Sequence, residues 1–217
     1  MSSTEEQKCV EKTRASVKIG NEFALFNACV DGFAAAVRVA LEAEWHYDYT
    51  SDTTTHKVDG VNVNQKHPSG YTPLWIASSE GHVEVTKLIL AVDGVDVNQG
   101  DNTGMTPLFQ AILKGHVDIA KLLIKAGAIV NQVTTDGSTP LWIASNNGHV
   151  DLIKVIIEAG GDVNQAETDN DGYTPFFVAS QNGHTDIVAL LLGTPGIQIN
   201  QQDNNGTTAL GSASQQG

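Results

Sequence analysis

Apolar residues recur in this chain at helical spacing, and the stripes they form recur in turn. Val85, Leu88 and Ile89 stand at i, i+3 and i+4, as do Ile119, Leu122 and Leu123. Leu152, Val155 and Ile156 repeat the pattern, and Ile187, Leu190 and Leu191 repeat it again. Each stripe predicts a short amphipathic helix whose apolar face needs a neighbour to cover it. Ahead of each lies a second apolar segment. Tyr71-Thr72-Pro73-Leu74-Trp75-Ile76-Ala77-Ser78 is followed by Met105-Thr106-Pro107-Leu108-Phe109-Gln110-Ala111-Ile112 and Ser138-Thr139-Pro140-Leu141-Trp142-Ile143-Ala144-Ser145. Tyr173-Thr174-Pro175-Phe176-Phe177-Val178-Ala179-Ser180 is a fourth copy and Thr207-Thr208-Ala209-Leu210-Gly211-Ser212-Ala213-Ser214 a worn fifth. Thr72, Thr106, Thr139, Thr174 and Thr208 are 34, 33, 35 and 34 residues apart. A fixed period of this length means stacked supersecondary units that share a core along the stack.

The ends of the helices are written in the same copies. A Thr hydroxyl can accept a hydrogen bond from a first-turn N–H, and Pro suits the first helical position. Gly81 and its counterparts supply the left-handed residue that stops the first helix. Glu84 with Lys87, Asp118 with Lys121 and Asp151 with Lys154 are expected as solvent-facing i, i+3 pairs, worth roughly 0.2–0.5 kcal/mol each. Gly94, Gly127 and Gly161 open a turn, and Gly104, Gly137 and Gly172 close one, so tight hairpin-like links should join the units.

The division that follows is a polar N-terminal segment, residues 1–21, read as a short polar helix or frayed tail. Residues 22–67 form a degenerate first repeat with small residues, Ala36, Val39 and Ala40, on its second helix and an inserted loop at about 44–57. Repeats follow at 68–101, 102–134, 135–169 and 170–203, and an incomplete sixth at 204–217. In that last unit Gly217 aligns with Gly81, so no second helix follows. Ile187, Leu190 and Leu191 are expected to lack their cover there and this end to fray, or the natural chain to continue.

Charge narrows the partners. The chain has 25 acidic and 12 basic residues, and none of the basic ones follows Lys154. Such a field disfavours nucleic acid and anionic membranes and favours basic partners, although a solvated face that merely aids solubility is the readier explanation of the acidity. Two cysteines without C-x-x-C spacing, an N-terminus without an apolar leader and the lack of a long apolar run suggest an intracellular, cytoplasmic, monomeric protein.

Candidate chemistry is thin. His82, His116, His149 and His184 each follow a turn glycine and should lie one repeat apart, too far to share a metal ion. Structural packing at the turns is the expected role. His46, Asp48, Asp52 and His56 in the insertion match no ligand spacing. Trp45, Tyr47 and Tyr49 beside them either pack back on the first repeat or anchor an interface. Nucleophile, metalloprotease, Walker and dinucleotide motifs are absent, so neither enzyme activity nor a cofactor is expected.

The Gly-x-Thr-Pro-Leu segment, the Gly-His turn, the aliphatic second helix and the Gly-Ala/Val-Asp-Val-Asn segment together resemble the ankyrin-repeat pattern over residues 22–217. The resemblance implies an all-α repeat solenoid of helix-turn-helix units linked by β-hairpin-like loops. It implies a non-catalytic adaptor or scaffold that binds a protein through hairpin tips and the concave face of the first helices. Mapped onto this sequence, the binding positions are Ser69, Tyr71, Ser79 and Glu80; Thr103, Met105, Leu113 and Lys114; Asp136, Ser138, Asn146 and Asn147; and Asp171, Tyr173, Gln181 and Asn182. Tyr71, Met105 and Tyr173 share one register and are the expected apolar anchor. The family usually has His after Thr-Pro-Leu, where Trp75, Phe109, Trp142 and Phe177 stand here, implying an apolar substitute for a polar tie. Two alternatives remain: the ankyrin region of a larger enzyme or channel, or a substrate of an asparaginyl hydroxylase at Asn98, Asn131 and Asn164.

Overall fold

The computed structural model describes residues 3–18, 24–32, 34, 35, 37, 62–168 and 171–216. Among them are eleven helices and no strands, with one isolated bridge between Gln202 and Thr208. Helix α1 runs Ser3–Lys18 and α2 Ala24–Asp31. The four regular pairs are α3 Pro73–Ser79 with α4 Val83–Leu90, α5 Pro107–Leu113 with α6 Val117–Lys125, α7 Pro140–Asn146 with α8 Val150–Glu158, and α9 Pro175–Gln181 with α10 Thr185–Leu192. Helix α11, Ala209–Gln216, is the last. First helices stack in one row, α2, α3, α5, α7, α9 and α11, and second helices α4, α6, α8 and α10 in another. This is an all-α repeat solenoid.

The first helices begin as their sequence demands. Thr72, Thr106, Thr139 and Thr174 each accept a hydrogen bond from the N–H three residues on, at 3.1, 3.2, 3.0 and 3.1 Å. Pro follows in the first turn, and Gly81 at φ 78° reverses the chain after α3. The core is one continuous layer between the rows: Leu74, Leu108 and Leu141 meet Val85, Ile89, Ile119, Leu123, Leu152 and Ile156, all 0–1% exposed.

The links between units are tight turns, each closed at its base by a backbone bond, and in four of the five a glycine N–H (Gly70, Gly104, Gly137, Gly206) also donates back to the first residue's carbonyl. His67, Asp101, Thr134, Glu167 and Asp203 donate their N–H to Tyr71, Met105, Ser138, Tyr173 and Thr207 at 2.9–3.1 Å. Side chains then tie one repeat to the next. Asn64, Asn98, Asn131 and Asn164 donate Nδ2–H to the carbonyls of Gly94, Gly127, Gly160 and Gly196, while their Oδ1 accepts from Asp96, Ile129, Asp162 and Gln198 N–H.

Several expectations change. Helix α1 is a 16-residue helix, and it buries Cys9 and Thr13 against α2. Glu84–Lys87 and Asp151–Lys154 pair at 2.6 and 3.2 Å on exposed side chains, but Asp118 and Lys121 do not reach each other. The left-handed residue ending α8 is Gly160, φ 89°, rather than Gly161. Ile187 and Leu191 are 1% and 0% exposed and Leu190 is half-buried like Leu88, Leu122 and Val155 before it, so the apolar residues of α10 less covered than their counterparts are Leu192 and Val188. The inserted loop at about 44–57 and the residues Ala36, Val39 and Ala40 lie outside the described residues.

Candidate functional site

The row of first helices and the turns that precede them make one face from residues of four repeats. The turn tips are held from within. In the tip ahead of α5, Asp101 Oδ1 accepts from Thr103 N–H (2.8 Å), Thr103 Oγ1–H (2.7 Å) and Met105 N–H (3.0 Å). Asp203 holds the last tip likewise, accepting from Asn205 and Thr207 N–H at 2.9 and 2.7 Å. Neighbouring tips also bond directly: Thr135 N–H donates to the Thr103 carbonyl, and Asn204 N–H to that of Asp171. Ser69, Thr103 and Asp136 are therefore exposed on ordered backbone, and Asp171 is half-buried.

Behind the tips lies an aromatic floor. Tyr71 stacks on Trp75 with ring centroids 4.0 Å apart, and Tyr173 on Phe177 at 4.3 Å. The Trp75 indole N–H crosses to the next repeat and donates to the Met105 carbonyl at 3.0 Å. At this position the expected apolar substitute is thus also a polar tie. Trp142, in the matching place, has its Nε1 buried without an acceptor. Tyr71, Met105 and Tyr173 are half-buried. Ser138, in the same register between Met105 and Tyr173, is only 7% exposed, so the three do not form a continuous ridge. They belong to two separate places: the stacked pair Tyr71–Trp75, tied to the Met105 carbonyl, and the stacked pair Tyr173–Phe177. Burial pushes the Tyr173 hydroxyl pKa up, with the Asp171 charge acting in the same direction and Gln181 opposing it.

At the far ends of the first helices, Glu80, Lys114, Asn147 and Asn182 are exposed, and Leu113, Asn146 and Gln181 half-buried. Ser79 is 8% exposed, contrary to its expected surface place, because it serves the seam between repeats. Its Oγ accepts from Gln110 Nε2–H at 3.1 Å and its carbonyl from the His116 ring at 3.1 Å. Asn182 donates to the Asn146 carbonyl and Oδ1, both at 3.1 Å, so these amides spend their polarity between repeats. Gln110 was not singled out by the sequence. It is 6% exposed, and its Oε1 is left without a partner. A polar residue at an otherwise aliphatic position of the repeat was the available signal.

The turn histidines work between repeats, not as caps of their own helices. None of His82, His116, His149 and His184 makes a side-chain cap bond. Instead the rings of His82, His116 and His184 donate to the carbonyls of Val30, Ser79 and Asn146, at 3.3, 3.1 and 3.0 Å. Among the described residues no three His, Cys, Asp or Glu side chains gather as metal ligands. The insertion residues Trp45, His46, Tyr47, Asp48, Tyr49, Asp52 and His56 lie outside the described residues. Asn98, Asn131 and Asn164 carry the cross-repeat bonds, so an enzyme acting on them must first open two hydrogen bonds at each. Among the described residues no helix is long and apolar enough to cross a membrane.

A family model described as ankyrin repeats (3 copies) matches residues 53–134, 128–203 and 168–217. No curated protein matches the chain.

Proposed function

This chain belongs to the ankyrin-repeat family, whose repeats generally serve protein–protein interaction and are typically non-enzymatic, and we propose that it is an adaptor or scaffold. In this reading the turn tips and the first-helix face form the binding surface, with the repeats divided as the sequence divides them. One observation carries the reading: the tie from Trp75 to the Met105 carbonyl fixes an aromatic floor across two repeats before any partner arrives. Ordered aromatic residues ringed by exposed polar ones are what anchor interfaces, because little side-chain freedom is lost on binding. Exposed Ser69, Glu80, Thr103, Lys114, Asp136 and Asn147 vary around that floor and set specificity. The acidic half beyond Lys154 favours a partner segment rich in Lys or Arg.

The test compares partners captured by wild type with those captured by Tyr71→Ala/Met105→Ala/Tyr173→Ala. The reading expects specific partners to be lost while helix content is kept. Retention of all of them by the triple variant contradicts it and moves the search to the insertion at about 44–57.

A further inference from the structure

One first helix lacks the cover that the others give their aromatic ring. Trp75, Phe109 and Phe177 are 7, 3 and 2% exposed, whereas Trp142 in the matching place is half-buried. Trp75 and Trp142 are the same residue, so what differs is the cover. Tyr71 stacks on Trp75 and Tyr173 on Phe177, and Met105 holds that position ahead of Phe109. Ahead of Trp142 it is held by Ser138, whose side chain ends at the hydroxyl oxygen. Ser138 is 7% exposed between half-buried Met105 and Tyr173, so the row of large side chains dips there. The dip lies within the stack, where α7 packs against α5 on one side and α9 on the other.

The charges around the dip have one sign. Residues 101–113, 134–147 and 171–183 hold Asp101, Asp136 and Asp171 and no Lys or Arg. Asp136 is exposed and Asp171 half-buried. Their field reaches the side chain beside the dip: after burial itself, the charges of Asp171 and Asp203 push the Tyr173 hydroxyl pKa up, against a hydrogen bond with Gln181. An open indole face beside carboxylates suits a cation, because the ring quadrupole and the carboxylates attract the same charge. Among cationic side chains, guanidinium is flat enough to lie on the ring while its N–H edge reaches a carboxylate. A neutral apolar side chain would cover the same indole but leave the acidic rim unmatched.

Building on the reading that the turn tips and first helices bind a protein, we propose that Ser138 and Trp142 floor a subsite for an arginine side chain of the partner, with Asp136 and Asp171 as its rim. The guanidinium lies on the Trp142 indole in the place that the Tyr71 ring takes on Trp75. Ser138 then determines specificity, because a ring at that position would close the subsite from within the chain. The other three regular repeats supply that cover themselves, so the arginine is selected by this repeat alone among them.

The probes are the capped tripeptides Gly-Arg-Gly, Gly-Lys-Gly, Gly-citrulline-Gly and Gly-Leu-Gly, titrated at fixed ionic strength into the isotope-labelled 217-residue chain and followed by NMR. Trp142→Phe removes one indole N–H resonance and so assigns it. Gly-Arg-Gly should shift that resonance and the Ser138 and Tyr173 amides along a saturable curve, with a midpoint about threefold or more below that of Gly-Lys-Gly. The citrulline and leucine peptides should not saturate. Ser138→Tyr should abolish the response while helix content and thermal midpoint are kept, and Asp136→Asn/Asp171→Asn should weaken it several-fold. Glu80→Gln, an exposed charge at the far end of α3, should leave it unchanged. No saturable shift with Gly-Arg-Gly, an equal response to the citrulline or leucine peptide, equal midpoints for Arg and Lys, or an unaltered curve in Ser138→Tyr each overturns the proposal. If captured partners are lost by Tyr71→Ala/Met105→Ala/Tyr173→Ala but kept by Ser138→Tyr, the binding face stands and the arginine subsite alone falls. Retention by both variants removes the reading itself.

Discussion

Trp75 and Trp142 hold the same place in their repeats, yet only Trp75 finds an acceptor for its indole N–H. A buried donor without a partner costs about 1–3 kcal/mol, and a made hydrogen bond contributes about 1 kcal/mol. Trp75→Phe should therefore lower stability in urea unfolding by about 1 kcal/mol more than Trp142→Phe, which should be neutral or stabilising. Equal losses would mean that packing, not the N–H, sets the difference. Cys29 gives a second prediction at this scale. It is fully buried and forms no disulfide, and desolvation pushes its thiol pKa well up, which keeps it protonated and unreactive through mildly alkaline pH. In a Cys9→Ser background, a thiol reagent at pH 8 should label nothing until the chain unfolds. Stoichiometric labelling of the native protein would contradict the burial. Neither property is legible from the sequence: the two tryptophans sit in matching strings, and neither cysteine carries a motif.

At the scale of the element, the helix ends were the most legible feature. Four Thr-Pro pairs in register specify four first helices, and each hydroxyl makes the cap bond the pair implies. Thr106→Ala should cost about 1 kcal/mol, the usual loss of an N-cap, and Thr106→Ser should recover most of it. A loss of less than a few tenths in chemical denaturation would show that packing alone holds the end of α5. What the sequence left open is which side of a stripe faces which neighbour. Spacing at i, i+3, i+4 places Ile187, Leu190 and Leu191 on one face of α10, but the same helix is apolar on the adjoining row as well. Ile187 and Leu191 turn inward, and Val188 and Leu192 turn toward the place a following repeat would fill. For α1 a short polar helix was one of the two readings, but its packing escaped for the opposite reason. Its residues are mostly polar, and the burial of Cys9 and Thr13 depends on two positions that form no visible stripe.

Across the whole molecule, the solenoid was legible because its period outweighs local ambiguity, whereas the proposed binding face was legible only as positions in a register. Physical contact then sorted those positions. Ser79 went to a seam between repeats, Ser138 was buried in its own turn against Thr134, Asn146 and Asn182 were tied to each other, and Tyr71 and Tyr173 were stacked on the ring behind them. A single-residue alignment contains no information on which polar groups will be used between repeats, since that depends on the neighbour one unit away. In the proposed reading the surface left for a partner is narrower than the register suggested, and it concentrates on the tips, the two aromatic patches and the far ends of the first helices. Deuterium exchange of the chain alone and bound to a captured partner tests that most directly. Protection on binding should appear in residues 68–80, 102–114, 135–147 and 171–182, and be weak or absent over α4, α6 and α8. Protection confined to those second helices, with the first-helix face unchanged, would contradict the account.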